Sequence, residues 1–127
     1  MAEDFSFGEM LEMQKQIREK YDRYWGRLRP EVVKDKLLWM IGEASEVGDI
    51  IKKNGELATR DTPQLRAHFI EEMCDVMMYY NEILMCMDVS TDELKKAYVE
   101  KFNTNMQRWY KKEEERRLRE ERHEGDN

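Results

Sequence analysis

Gly42-Glu43-Ala44-Ser45-Glu46-Val47-Gly48-Asp49 and Glu71-Glu72-Met73-Cys74-Asp75-Val76 are the two stretches on which the fold turns. Each sets two acids three residues apart within a run whose apolar residues recur at helical spacing. At roughly 100° per residue, Glu43 and Glu46 fall beside Trp39, Met40, Val47 and Ile50, while Lys34, Ser45, Asp49 and Lys52 take the opposite side. Glu72 and Asp75 fall in the same way among Leu65, Phe69, Val76, Tyr79 and Ile83. Acids on core-facing stripes are costly unless something pairs with them. Four acids with no basic residue inside either motif call for a hard cation held by carboxylate oxygens, Mg²⁺ first and Mn²⁺ as the alternative.

The surrounding text supplies the helices. The first is expected from Phe7 to Leu28, with Met10, Ile17, Tyr21, Trp25 and Leu28 as its stripe, ended by Gly26 and the Arg29-Pro30 step. The second is expected from Pro30 to Lys53, stopped by Asn54-Gly55. A polar loop leads to Asp61-Thr62-Pro63, a cap followed by proline at the first helical position. The third runs to about Met87 and is apolar almost all round, which predicts the most buried helix. Ser90-Thr91-Asp92-Glu93 is a capping box opening the fourth, whose stripe is Leu94, Tyr98, Phe102 and Trp109. From Lys111 the chain is almost wholly charged, a solvated helical extension or frayed tail.

A short connection makes the second and third helices antiparallel neighbours. Glu43 and Glu46 lie ten and seven residues before Lys53; Glu72 and Asp75 lie nine and twelve after Pro63. With a rise of about 1.5 Å per residue the two pairs sit at similar height and face each other.

The 127 residues suit one domain. Their 22 basic and 28 acidic residues give a net charge of −6, which argues against binding a nucleic-acid polymer. An anionic small substrate stays open, because bound cations reverse the local field. Cys74 and Cys86, twelve residues apart on one helix, would be about 18 Å apart and cannot join; two buried free thiols point to a reducing, cytoplasmic setting. There is no long uncharged run to enter a membrane.

Lys101, Asn105 and Arg108 share a face of the fourth helix bordered by Leu94, Tyr98 and Trp109, an arrangement able to grip phosphates. Trp25 and Trp39 could stack on a nucleobase, although Trp39 reads better as bundle filler. His68 stands one turn before Glu72 and reads as a partly exposed surface histidine.

Taken together, these motifs resemble the MazG-like all-α nucleotide pyrophosphohydrolases, the clan that includes dimeric dUTPases and dCTP pyrophosphatases. That family's pattern is Glu-x-x-Glu, a spacer, then Glu-x-x-Asp, followed late by a Lys/Asn/Arg element. The resemblance covers about residues 8–110 and implies a MazG-like domain over 1–110, with 111–127 as a charged extension. It implies an all-α four-helix MazG-like bundle completed by oligomerisation into a homodimer or homotetramer. It further implies Mg²⁺-dependent hydrolysis of a nucleoside triphosphate to monophosphate and pyrophosphate. Glu43, Glu46, Glu72 and Asp75 would hold metal, and Glu43 or Glu46 would be the catalytic base. Lys101, Asn105 and Arg108 would bind phosphate, with Tyr79 and Trp25 near the nucleotide; Tyr79 reads equally well as a core aromatic. A dUTPase of narrow base choice and a non-catalytic helical scaffold are the alternatives.

Overall fold

The computed structural model describes residues 4–125. Among them there are five α-helices and no strand: α1 (Phe7–Trp25), α2 (Val33–Asn54), α3 (Glu56–Asp61), α4 (Pro63–Cys86) and α5 (Thr91–Gly125), with a 3₁₀ turn at Pro30–Val32 before α2. The chain divides into two compact units, one ending at Val89 and one beginning at Ser90. No helix among the described residues is long and apolar enough to cross a membrane.

Helix ends follow local chemistry. Ser6 opens α1 with a capping box: its hydroxyl accepts from the Glu9 N–H at 3.1 Å, and Glu9 accepts from the Ser6 N–H at 3.2 Å. Gly26 closes α1 at φ +80°, where a side chain would be strained, and its N–H donates to Asp22 O. The helix ends at Trp25, three residues before Leu28, so α1 is shorter than expected. Gly55 ends α2 in the same manner at φ +87°. The loop expected after it is partly helical: α3 makes one short turn, pinned where the Thr59 hydroxyl donates to Gly55 O at 2.7 Å. Thr62 stands before Pro63 at the start of α4 without a side-chain capping bond, and Asp61, the last residue of α3, pairs with Arg60 at 2.7 Å. Ser90 and Glu93 form the expected box before α5.

In the first unit α2 packs along α4, α1 lies against α4, and α3 leans on both α2 and α4. Lys36 meets Glu82, Trp39 meets Tyr79, and Glu46 meets Glu72. Every advance along α2 is matched by an equal retreat along α4, which defines an antiparallel pair in one fixed register.

The core of this unit is small: Leu11, Val47, Ile50 and Cys86 are its buried apolar residues. Three expectations are corrected by it. The inward face of α1 is Leu11, Gln14 and Arg18, not the stripe of Met10, Ile17, Tyr21, Trp25 and Leu28, because Arg18 is drawn in by an acid on α4. Helix α4 is not buried all round, since Ile70, Met73, Met77, Met78 and Tyr80 are exposed on one chain. Cys74 is exposed as well, and only Cys86 is a buried thiol.

The second unit is α5. Its helix continues through the charged stretch to Gly125, and none of its described residues is buried. Past Lys111 it is braced by pairs one turn apart, Arg116 with Glu113 and Glu120 and Arg117 with Glu121, at 3.5–3.9 Å.

Candidate metal centre and adjoining cleft

Glu43 and Glu46 project from the middle of α2 and Glu72 from α4. One carboxylate oxygen from each lies within 4.8 Å of the others. Asp75 is not part of this trio; it stands one turn along α4, lines the same cleft as Glu43, and adds to the negative field on Glu43. The spacing that placed the two pairs level is therefore realised for three acids, with the fourth adjoining.

Glu43 is the innermost of them. Its Oε2 is buried and has no hydrogen-bond partner among the described residues. Burial pushes its carboxyl above the ordinary range, and the hydrogen bond and charge of Glu46, with the charges of Asp75 and Glu72, push it the same way. Three carboxylates this close are an all-oxygen set of hard ligands of the kind that fits a divalent hard cation. Glu43, Glu46 and Glu72 are the residues that would hold it, with Asp75 alongside.

Next to these acids a cleft of about 490 Å³ opens between α1, α2 and α4, a size typical of small-ligand sites. Trp25 and Trp39 are more than half exposed at its rim, and Tyr79 lines it half-buried. Trp39 is thus not filler. It meets Tyr79 edge-on at 6.1 Å, and the Lys36 ammonium sits 4.5 Å from its ring. Trp25 stacks on Tyr21 at 4.8 Å, with the Arg18 guanidinium 5.6 Å from its ring. The Tyr79 phenol is pushed up by burial and by the charges of Glu43, Glu82 and Asp75.

The floor of the cleft holds groups the motif reading did not reach. Arg18, Lys36 and Glu82 line it while being only 3%, 7% and 6% exposed. Glu82 Oε1 takes both cations, Arg18 Nη2 at 2.8 Å and Lys36 Nζ at 3.7 Å. Arg18 Nη1 donates to Gly26 O at 3.4 Å and lies 3.6 Å from Asp22. Arg18 Nε has no acceptor among the described residues, and its Nη2 contact with Glu82 is an ion pair without an aligned hydrogen bond. For Lys36 and Glu82, though not for Arg18, the sequence carries a signal. Lys36 precedes Glu43 by seven residues and Glu82 follows Asp75 by seven, so each lies two turns along the face already singled out.

His68 is exposed. Lys101, Asn105 and Arg108 lie on α5, in the second unit; Lys101 and Asn105 line a shallow groove of that helix with Tyr98, Phe102, Met106 and Trp109. Protein-family models, curated proteins and solved structures were all compared with this chain, and none matches.

Proposed function

We propose that the protein is a nucleoside triphosphate pyrophosphohydrolase of MazG-like type, acting on a ribo- or deoxynucleoside triphosphate to give the monophosphate and pyrophosphate. One observation carries the reading: carboxylate oxygens of Glu43, Glu46 and Glu72, from two antiparallel helices, lie within 4.8 Å of one another beside an aromatic-rimmed cleft that Glu43 also lines. Glu43, Glu46 and Glu72, with Asp75 alongside, would hold a divalent ion, which when bound would lower the pKa of a water and offset triphosphate charge.

The chain's own groups do the rest. Glu43 or Glu46 takes the proton of the attacking water. Trp25 and Tyr79 hold the nucleoside end. Lys101, Asn105 and Arg108 are the proposed phosphate contacts, the two cations steadying charge on the leaving pyrophosphate. A homodimer or homotetramer belongs to the same proposal, supported by the apolar side chains α4 leaves exposed.

The test is a panel of ribo- and deoxynucleoside triphosphates with Mg²⁺ or Mn²⁺, scored separately for pyrophosphate and phosphate. Equimolar monophosphate and pyrophosphate is expected; orthophosphate release or no turnover refutes the reading. A second reading, a non-catalytic scaffold, is favoured by the exposed Tyr98, Phe102, Met106 and Trp109 of α5. Failure to bind Mg²⁺ in equilibrium titration would select it.

A further inference from the structure

Two apolar surfaces, one in each unit, lie open in the single chain. In the first unit a groove of about 380 Å³ runs between α1 and α4. Met13, Ile17, Ile70, Met73 and Met77 line it and are 38–57% exposed, while its two amides, Gln14 and Asn81, are buried. In the second unit Tyr98, Phe102, Met106 and Trp109 recur at helical spacing on one face of α5 and are 54–73% exposed. The two surfaces match in length. Phe69 to Asn81 of α4 covers about 18 Å, and Tyr98 to Trp109 of α5 about 16 Å. They also match in charge. The chain through Val89 carries 12 basic and 18 acidic residues, a net of −6, whereas Leu94 to Trp109 carries Lys95, Lys96, Lys101 and Arg108 against Glu100 alone, a net of +3.

We propose that the α1–α4 groove of one copy receives the apolar face of α5 from a second copy, the two copies exchanging these helices about a twofold axis. A helix laying spaced apolar anchors into an apolar groove is a recurrent mode of recognition, and Tyr98, Phe102 and Trp109 have the spacing it needs. No described residue of α5 is buried in the single chain, so its cover comes from another copy. A closed twofold pair makes each contact twice and leaves neither a bare groove nor a bare stripe. A fully covered aromatic side chain buries roughly 150–250 Å². More than half of each aromatic on α5 is still free. Two stripes and the two grooves they enter therefore remove on the order of 1,200–2,000 Å² from water, the range of a stable interface. The opposite charges add steering and orientation. This pairing rests on the homodimer proposed above and on none of its chemistry.

The experiment uses the exposed thiol that the groove already holds, Cys74. Tyr98→Cys, Phe102→Cys and Met106→Cys are made singly in the full chain, oxidised mildly with glutathione disulfide and run on non-reducing gels. At least one is expected to give a linked dimer, absent from Gln107→Cys on the far side of α5 and from the same variants combined with Cys74→Ser. Linked dimers that persist with Cys74→Ser place α5 against α5 and overturn the docking. A disulfide closed within one chain places α5 over its own groove and overturns the second copy, and so does the absence of any link. In a separate measurement, Phe102→Asp is expected to weaken the dimer about 30-fold or more by light scattering across a dilution series. Phe102 is exposed in the single chain, so this change leaves the fold in place. Unchanged association overturns the assignment. A wild-type dimer that forms none of the links keeps the homodimer but loses this docking, and a wild-type monomer removes both. Neither readout involves hydrolysis, which the nucleotide panel decides separately.

Discussion

Replacing Glu82 by alanine should be among the most damaging single changes to the first unit. Its Oε1 lies 2.8 Å from Arg18 Nη2 and 3.7 Å from Lys36 Nζ. At an effective dielectric of ~20, these separations correspond to about 6 and 4.5 kcal/mol of attraction. Most of that is offset by the cost of taking three ions out of water, several kcal/mol each, so the trio adds little net stability. Removing the acid alone is different, because two cations stay buried with only the half-exposed Asp22 near Arg18. The expected loss is about 3–5 kcal/mol. For a unit of this size each kcal/mol moves the melting temperature by about 4–8 °C, so a fall of at least ~12 °C is expected. Removing all three charges as Arg18→Met, Lys36→Met and Glu82→Leu should return stability to within about 1.5 kcal/mol of wild type, or above it. Thermal melts followed by circular dichroism, with the chain at one fixed concentration, measure both. If the triple variant is as unstable as Glu82→Ala, the ions are not the cause, and the damage comes from lost packing at the α1–α4 contact.

Other outcomes follow from the acids and the small core. Glu43→Gln should stabilise the metal-free protein above the acid range. The folded carboxyl holds its proton to higher pH than the unfolded one, so wild-type stability falls as pH rises through that window, and melts across pH in EDTA should show the fall vanish in the variant. Glu46→Gln should abolish Mg²⁺-dependent turnover without loss of fold, and a near-normal rate would remove it from the metal set. Arg108→Ala should weaken triphosphate binding far more than monophosphate binding; equal losses would show a structural role. Ile50→Ala, at one of the four buried apolar positions, should cost about 2–5 kcal/mol in denaturant titration.

The acid centre was legible because its signal is periodic. Two i, i+3 pairs counted from helix ends fall level only when α2 and α4 run antiparallel, and glycine and proline mark those ends. Asp75 stands outside the trio because position along a helix is set by counting, whereas the distance across to a neighbour depends on how side chains lean. The ion trio was missed for a different reason. Arg18, Lys36 and Glu82 are each ordinary helix-surface residues by composition, and only the meeting of three helices turns them inward. The stripe of α1 misled in the complementary direction. Its apolar side chains pointed to a core, but the charge on α4 rotated the inward face to Leu11, Gln14 and Arg18.

The outer part of α5 behaves unlike the rest of the molecule toward dissolved ions. The sixteen residues from Tyr110 to Gly125 span about 24 Å of helix, and carry Arg–Glu pairs one turn apart in place of an apolar stripe. Such pairs are each worth only about 0.3–0.5 kcal/mol and weaken as the Debye length shrinks from ~10 Å at 0.1 M salt to ~3 Å at 1 M. Concentrated salt should therefore unwind this segment while strengthening the apolar contacts around Val47 and Ile50. The helical content of this segment should thus depend on ionic strength in a way that the apolar contacts of the first unit do not.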